Sequence, residues 1–472
     1  MNTTVFERNA PSAAAIDHSL AGVRRSPFWL EDAAAPTYPR LTGGLECNLA
    51  VVGAGYCGIW TAIKAKRADP SRRVVVLEAK TVGWAASGRN GGFVEASLTH
   101  GEDNGASRFP AEIDRLTELG LANLDTIETT VAELGIDCDW ERNGAIDLAV
   151  EPYQLEALRE RELTPDQFFL DASELAREVR SPTYLGGVWN TRTSALVHPG
   201  KLAAELARVA SELGVEIFEH SKVDAVVTRD SARVTLPTRT GSVVASSVAL
   251  ATNVFPSLLR RNRLQTVPVY DYVLMTEPLS AEQRASIGWS NRQGLGDGAN
   301  QFHYYRLSAD NRILFGGYDA INHFGQRVDP RYENRPESYR RLASHFLTTF
   351  PQLAGIRFSH RWAGPIDTST RFCAFFGTAR QGRIAYAAGF TGLGVASTHF
   401  AADVMLDLLS GTPSELTELE MVRSRPLPFP PEPVASIGIQ LTRFSLDRAD
   451  HNNGRRNLLL RGLDAVGLGF DS

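Results

Sequence analysis

The residues with the clearest chemical meaning are three glycines and one acid. Gly53, Gly55 and Gly58 follow an apolar run, Leu49 to Val52, and precede a helix-capable stretch, Ile59 to Ala68. A second apolar run, Val74 to Leu77, ends at Glu78, twenty residues after the last glycine. Strand, glycine turn, helix, strand and acid form the βαβ layout of a dinucleotide-binding fold. Gly53 permits the tight turn, Gly55 lets the backbone approach a pyrophosphate, and Gly58 lets helix and strand pack closely. The helix start aims unpaired N–H groups and a positive dipole end at phosphate charge. Glu78 is spaced to accept hydrogen bonds from ribose hydroxyls. Ala54, Tyr56 and Cys57 lie inside the fingerprint, and Ala79 and Lys80 directly follow the acid. Cys57 reads as a small packing residue.

Two further glycine-rich segments have the same character. Ser87, Gly88, Arg89, Asn90, Gly91 and Gly92 offer small side chains and backbone N–H groups, so their loop can lie against a flat ring. Gly389, Gly392 and Gly394 precede a helical run, Val395 to Leu409, whose positive end faces whatever lies beside the turn. An aromatic strand, Phe302 to Arg306, is a candidate cavity wall. Side chains alternate along a strand, so His303 and Tyr305 share one face, and Tyr304 and Arg306 the other. Which face lines a site stays open, and an ordinary core strand fits equally well. Arg306 is a candidate holder of a distal anion, as is Arg361. Glu95 and Asp367 are candidates to attract an ammonium, or are simply solvated or backbone-capping carboxylates. His100 and His399 read as structural. There is no metal-ligand spacing, GxSxG or GxxxxGK[ST].

These residues need a large scaffold to hold them. The chain has 472 residues, 43% hydrophobic and 22% charged, with a net charge of −5. Two domains are expected at that length, and nucleic acid or an anionic membrane is not the expected partner. No apolar run reaches the roughly 18 residues of a membrane span. The start lacks the apolar core of a signal peptide, and four scattered cysteines read as reduced thiols, so a cytoplasmic location is expected. Apolar periodicity predicts helices over 111–134, 152–162, 171–179, 199–213 and 335–350, and strands over 146–150, 215–218, 232–236 and 243–251. Residues 1–44 read as an arm ending in an extended segment, and 412–472 as a tail with a Pro-rich hinge and two helical stretches. The nucleotide-binding pieces fall at 45–100, 190–260 and 360–411. The intervening 101–189 and 261–359 are left to build a substrate domain. An NAD dehydrogenase, with its usually contiguous nucleotide domain, fits this interleaving poorly.

In order, GAGYCG with Glu78, ASGRNGG, VHPGKLAAELARVASELGVEIFEHSKV, ALATN, RWAGPID and AAGFTGLGV resemble the signatures of the D-amino acid oxidase/glycine oxidase superfamily of FAD-dependent oxidoreductases. The nearest branch resembles the γ-glutamylputrescine oxidoreductases. The resemblance implies an α/β fold: a Rossmann-like FAD domain of the glutathione-reductase type, interleaved with an α+β substrate domain carrying a mainly antiparallel sheet. It implies that Val223, Ala251 and Thr252 close the adenosine end. It implies that Trp362, Gly364, Gly389, Thr391, Gly392, Leu393 and Gly394 hold the isoalloxazine. The implied reaction is oxidation of a primary or secondary amine by hydride transfer, with oxygen or another electron acceptor. Alternatives are an aminophosphonate or unusual amino acid as substrate, or a non-catalytic, partner-dependent flavoprotein. Related sarcosine oxidases carry an oxygen-activating lysine on the strand matching Arg312 to Gly317, and a carboxylate-binding lysine near Ala396; neither is present. Leu393 stands where many relatives have histidine. No cysteine or histidine stands where relatives attach flavin, so non-covalent FAD is expected. Neither the residues nor the resemblance supplies a dedicated base, and neither gives the oligomeric state.

Overall fold

The computed structural model describes residues 2–228 and 233–465. Two large sheets carry the chain. The first has the order 375–379, 384–388, 241–250, 43–52, 74–77, 216–218, with 234–237 added alongside 241–250. Its five inner and far strands pair in parallel, and the strands 375–379 and 234–237 pair antiparallel. The helix Tyr56–Ala68 makes the crossover between the first two sequential strands. Parallel strands are covered on both faces, which is why Leu49 to Val52 and Val74 to Leu77 are continuous apolar runs and not alternating ones. The helix Pro199–Glu212 starts with proline in its first turn, is capped by the His198 ring, and stops before Gly214 at φ +85°. It feeds the strand Glu216–Phe218.

The second sheet has eight strands in the order 358–369, 266–276, 313–317, 303–307, 294–297, 145–149, 186–190, 167–171. All of its pairs are antiparallel except 294–297 with 145–149. A two-stranded ribbon, Phe93–Glu95 with Ser194–Leu196, bridges the two sheets in sequence. The fold is thus a Rossmann-like nucleotide-binding half interleaved with an α+β half bearing a mainly antiparallel sheet.

Three expectations need correction. The N-terminal arm, expected to end in an extended segment, contains the short helices Val5–Arg8, Ala13–Ser19 and, within that end, Phe28–Asp32. The last of these packs under the glycine loop, where the Trp29 indole donates to the Asn90 carbonyl at 3.0 Å. The strand expected from 232 begins at Val234, and residue 232 itself lies outside the described residues. The Pro-rich segment after 423 is not a free hinge; it is a strap bonded along the protein surface. Beyond it lie the helices Val434–Asp450 and Leu458–Ala465.

Candidate active site

Two cavities meet to form one long slot. The smaller, about 980 Å³, is lined by Gly53, Gly55, Glu78, Ala79, Val223, Ala251 and Thr252, among others. The larger, about 1960 Å³, is lined by Arg89, Asn90, Gly91, Gly364 and Thr391 to Gly394, and runs outward between the substrate sheet and the tail. Tyr56, Ala86, Ser87, Asn253, Phe390 and Thr398 line both. Every glycine segment singled out in the sequence therefore converges on this slot.

The slot fits a dinucleotide on the structure's own terms. Gly53 sits at φ +110°, and a Cβ at Gly55 would stand 2.8 Å from Ser87 Oγ. A Cβ at Gly58 would stand 1.9 Å from the Gly53 carbonyl, so this glycine serves helix–strand packing and does not line the slot. The Asn253 Oδ1 atom is buried without a hydrogen-bond partner where the two cavities join. Glu78 is buried; its carboxylate accepts from the Ala54 and Lys80 N–H groups at 2.8 Å and from the Trp84 indole at 2.9 Å. Lys80 itself lies over Trp84. Ala54, Lys80, Gly88, Gly92, Trp362 and Gly389 stand behind the lining. Trp362 donates to the Arg89 carbonyl at 2.8 Å, and Arg89 donates to the Ala363 carbonyl and pairs with Glu333 at 2.7 Å. These bonds tie the glycine loop to the substrate sheet.

The substrate-side candidates separate sharply. Tyr304, not His303 or Tyr305, faces the cavity. His303 is fully buried on the other face, with Asp297 at 2.6 Å and His345 at 2.9 Å. Tyr305 is buried in the core beside Tyr184, hydroxyl to hydroxyl at 2.9 Å. Arg306 is buried too, and its guanidinium donates to the Val197 and Gly92 carbonyls at 2.6 and 3.2 Å. It braces the loop and is spent on backbone. Arg361 lies outside the cavity, donating to Asn334 at 3.1 Å. Glu95 lines the cavity, accepts from Ser194 Oγ at 2.5 Å, and has its carboxyl pushed up to about 7 by burial. Asp367 also lines it and is pushed up to about 7 by burial, but one oxygen caps the Gly389 N–H at 2.6 Å.

One residue escaped sequence reading. On the strand Thr266–Thr276, Val267, Val269, Asp271 and Val273 alternate into the cavity. The Tyr304 hydroxyl donates to Asp271 Oδ2 across an intervening strand. Gly316 makes this possible: it pairs with Tyr304 on one side and Val273 on the other, and a Cβ there would lie 2.6 Å from the Tyr304 ring. The ring also rests on Gly91, where a Cβ would come within 2.6 Å of its Cε2 atom. Burial pushes the Asp271 carboxyl up to about 6, against the lowering effect of hydrogen bonds from Tyr304 and the Tyr272 and Gly317 backbone. The Tyr304 phenol is raised well above its ordinary value by burial and by the adjacent carboxylate. A period-two strand with one acid among valines is the signal that would have found Asp271.

A slot for a dinucleotide, joined to an acid-lined cavity and split between two interleaved halves, defines a flavin-dependent oxidoreductase fold. Residues 48–408 match the family of FAD-dependent oxidoreductases typified by DAO, and the chain belongs to it. It is 30% identical over 387 residues to γ-glutamylputrescine oxidoreductase of Escherichia coli, covering 79% of this chain and 86% of that one. It is 29% identical over 396 residues to the probable oxidoreductase OrdL of Haemophilus influenzae, covering 81% and 87%. Among solved structures, glycine oxidase from Geobacillus kaustophilus superposes with a TM-score of 0.66 at 19% identity, covering 80% of this chain and 99% of that one. The L-proline dehydrogenase from P. horikoshii gives 0.64 at 16%, covering 80% and 96%. At those identities the structural likeness speaks for the fold. The family brings FAD as cofactor. Among the described residues no helix is long and apolar enough to cross a membrane, and no His/Cys/Asp/Glu group has metal-binding geometry.

Proposed function

We propose that this chain oxidises a C–N bond of a primary or secondary amine to an imine, which water hydrolyses to an aldehyde or ketone. The observation that carries this reading is the Asp271–Tyr304 pair, held in the cavity wall against Gly91 of the cofactor loop. Bound FAD supplies the hydride acceptor, and the protein supplies position and electrostatics. Asp271 attracts the incoming ammonium and takes its proton, because an amine can release hydride only when its nitrogen lone pair is free. A carboxyl near 6 is ionised at neutral pH yet basic enough to hold a proton for part of the cycle. Tyr304 steadies that carboxylate and lays its ring beside the loop. Val267, Val269 and Val273 strip water from the amine, which lowers its pKa and helps deprotonation. Asp271 thus fills the role of base that the sequence left empty.

The reading extends to FAD held without a covalent bond, to a polyamine derivative as substrate class, and to a cytoplasmic location. The 30% identity to a γ-glutamylputrescine oxidoreductase supports the substrate class. All four cysteines are free and buried, which fits a reducing compartment. Residues 45–100, 190–260 and 360–411 would then form the FAD domain, and 101–189 and 261–359 the substrate domain. The test is anaerobic: the yellow holoenzyme is mixed with a panel of mono- and diamines and its flavin absorbance followed. Bleaching by an amine supports the proposal. A flavin bleached by dithionite but by no amine of the panel would count for the non-catalytic alternative.

A further inference from the structure

The tail beyond residue 411 lies outside the family match, yet it roofs the larger cavity. Its strap is fixed at several points. Thr370 Oγ1 donates to the Leu427 carbonyl at 2.8 Å, Arg371 donates to Ser424 Oγ at 2.9 Å, and the Phe429 N–H donates to the Leu264 carbonyl at 2.7 Å. The helix Val434–Asp450 is then held at its middle and far end. Gln440 donates to the Asn322 carbonyl at 3.0 Å, and Asp450 accepts from the Asn300 N–H at 2.9 Å and the Gln301 N–H at 3.2 Å. Ala435, Gly438, Ile439, Thr442, Arg443 and Leu446 present this helix to the cavity.

Four arginines line that cavity, and their states differ. Arg89 pairs with Glu333 at 2.7 Å, Arg161 with Asp147 at 2.8 Å, and Arg192 with Asp166 at 3.4 Å. Arg443 has no ion-pair partner among the described residues, and its Nε is buried with no hydrogen-bond acceptor. A buried guanidinium N–H left unpaired is unfavourable, and a ligand that supplies an acceptor removes that penalty. The fork of the guanidinium suits a carboxylate. Glu102, Asp103, Glu162 and Asp297 elsewhere on the wall disfavour a dianion. The cavity of about 1960 Å³ must also take the flavin ring beside Gly91 and Thr391 to Gly394, and the rest of it extends under the tail helix.

Building on the proposed amine oxidation, we infer that Arg443 is a specificity-determining residue, a tail-borne anchor for a carboxylate at the far end of an elongated amine substrate. The amine end lies at Asp271 and Tyr304, and the carboxylate end under the tail helix.

The probes are three series of matched chain length: ω-amino carboxylates, plain alkylamines and ω-aminoalkylphosphonates, tested by anaerobic flavin reduction. In the wild-type holoenzyme one length of ω-amino carboxylate should be bound at least about tenfold more tightly than the plain amine. In Arg443→Ala the ratio of the two apparent Kd values should collapse towards one, and Arg443→Lys should restore part of it. A second readout needs no turnover: a plain alkanoate of the preferred length should raise the Tm of the wild type but not of Arg443→Ala. Equal affinity for carboxylated and plain amines, a preference that survives in Arg443→Ala, or a phosphonate preferred over the carboxylate would overturn the inference while leaving amine oxidation standing. Alkanoate stabilisation lost in Arg443→Ala, with no amine reducing the flavin, would support the anion site and sink the amine reading instead.

Discussion

Replacing Asp271 with asparagine should make the protein more stable and a poorer amine enzyme at once. The side chain is nearly isosteric. Its oxygen can face the Tyr272 and Gly317 N–H groups, and its amide can face the Tyr304 oxygen. In the wild type, burial pushes the Asp271 carboxyl from its usual 3.8 to about 6. The folded chain therefore holds this proton more tightly than the unfolded chain does. That contribution is intact below about pH 4 and is lost as pH rises through about 6, and it corresponds to about 3 kcal/mol at most. Water in the cavity relaxes part of it, so about 1–3 kcal/mol is expected. Asparagine carries no charge and escapes the loss. Thermal melts of the two FAD-loaded proteins should nearly coincide at pH 4 and separate above pH 6, with Asp271→Asn higher. Over the same range, the limiting rate of anaerobic flavin reduction in the wild type should climb with ionisation of Asp271 and of the bound amine. In the variant the step near 6 should vanish, and amine affinity should fall about tenfold or more. A variant that melts below the wild type at pH 8, or keeps the same pH–rate profile, would refute both the burial argument and the assignment of Asp271 as proton acceptor.

Other outcomes follow from residues already placed. Glu78→Ala removes the acceptor of three internal donors as well as the expected ribose contact. It should lose FAD on gel filtration and unfold about 2–4 kcal/mol more easily in urea, a joint effect that a pure ligand contact would not give. FAD should appear in the supernatant after acid precipitation; colour that stays with the pellet would mean a covalent link. No lysine lines the larger cavity, so substrate-reduced enzyme should reoxidise in air-saturated buffer more slowly than the lysine-bearing sarcosine oxidases, and turn over faster with a dye acceptor. Stopped-flow reoxidation as fast as theirs would show that an arginine or the dipole of the helix Gly394–Ser410 does the work of a lysine.

The glycine-lined slot was readable from sequence because its demands fall on the backbone. A tight turn, a close approach and an anion at a helix start each require glycine or a short polar residue at fixed spacing, and Gly53, Gly55, Gly58 and Glu78 show it. The amine side was not readable, because its demands are met across strands far apart in the chain. Alternation grouped Tyr304 with Arg306 but could not say which face meets the cavity. Nor could it say that Arg306 lies one pair deeper, under the Gly92 and Val197 carbonyls. Asp271 and Tyr304 meet only because Gly316 leaves a gap in the strand between them, and that follows from register, not composition. The helices of residues 5–32 were missed for a similar reason. They are short and draw their stability from burying Phe6, Phe28 and Trp29 against the body, not from a long periodic pattern.

The interleaving of the two sheets also sets a schedule for biosynthesis. The strand Gly43–Val52 finds one parallel neighbour, Val74–Leu77, early, but its other only when Gly241–Leu250 has been made, and that strand in turn waits for Ile384–Ala388. At roughly 5–20 residues per second, a ribosome delivers the last of these about 20–70 s after the first. Until residue 250 has been made, the strand leading into the first glycine turn has Val74–Leu77 on one side only. The Glu78 end of the slot has most of its lining after residue 263, but Ala379 and Arg380 join it later, and the turn at 389–394 closes the other end later still. A nascent chain can therefore begin to grip the adenosine half early, yet it can retain the whole nucleotide only once the turn at 389–394 has emerged. Chains ended before residue 389 should therefore leave the ribosome colourless.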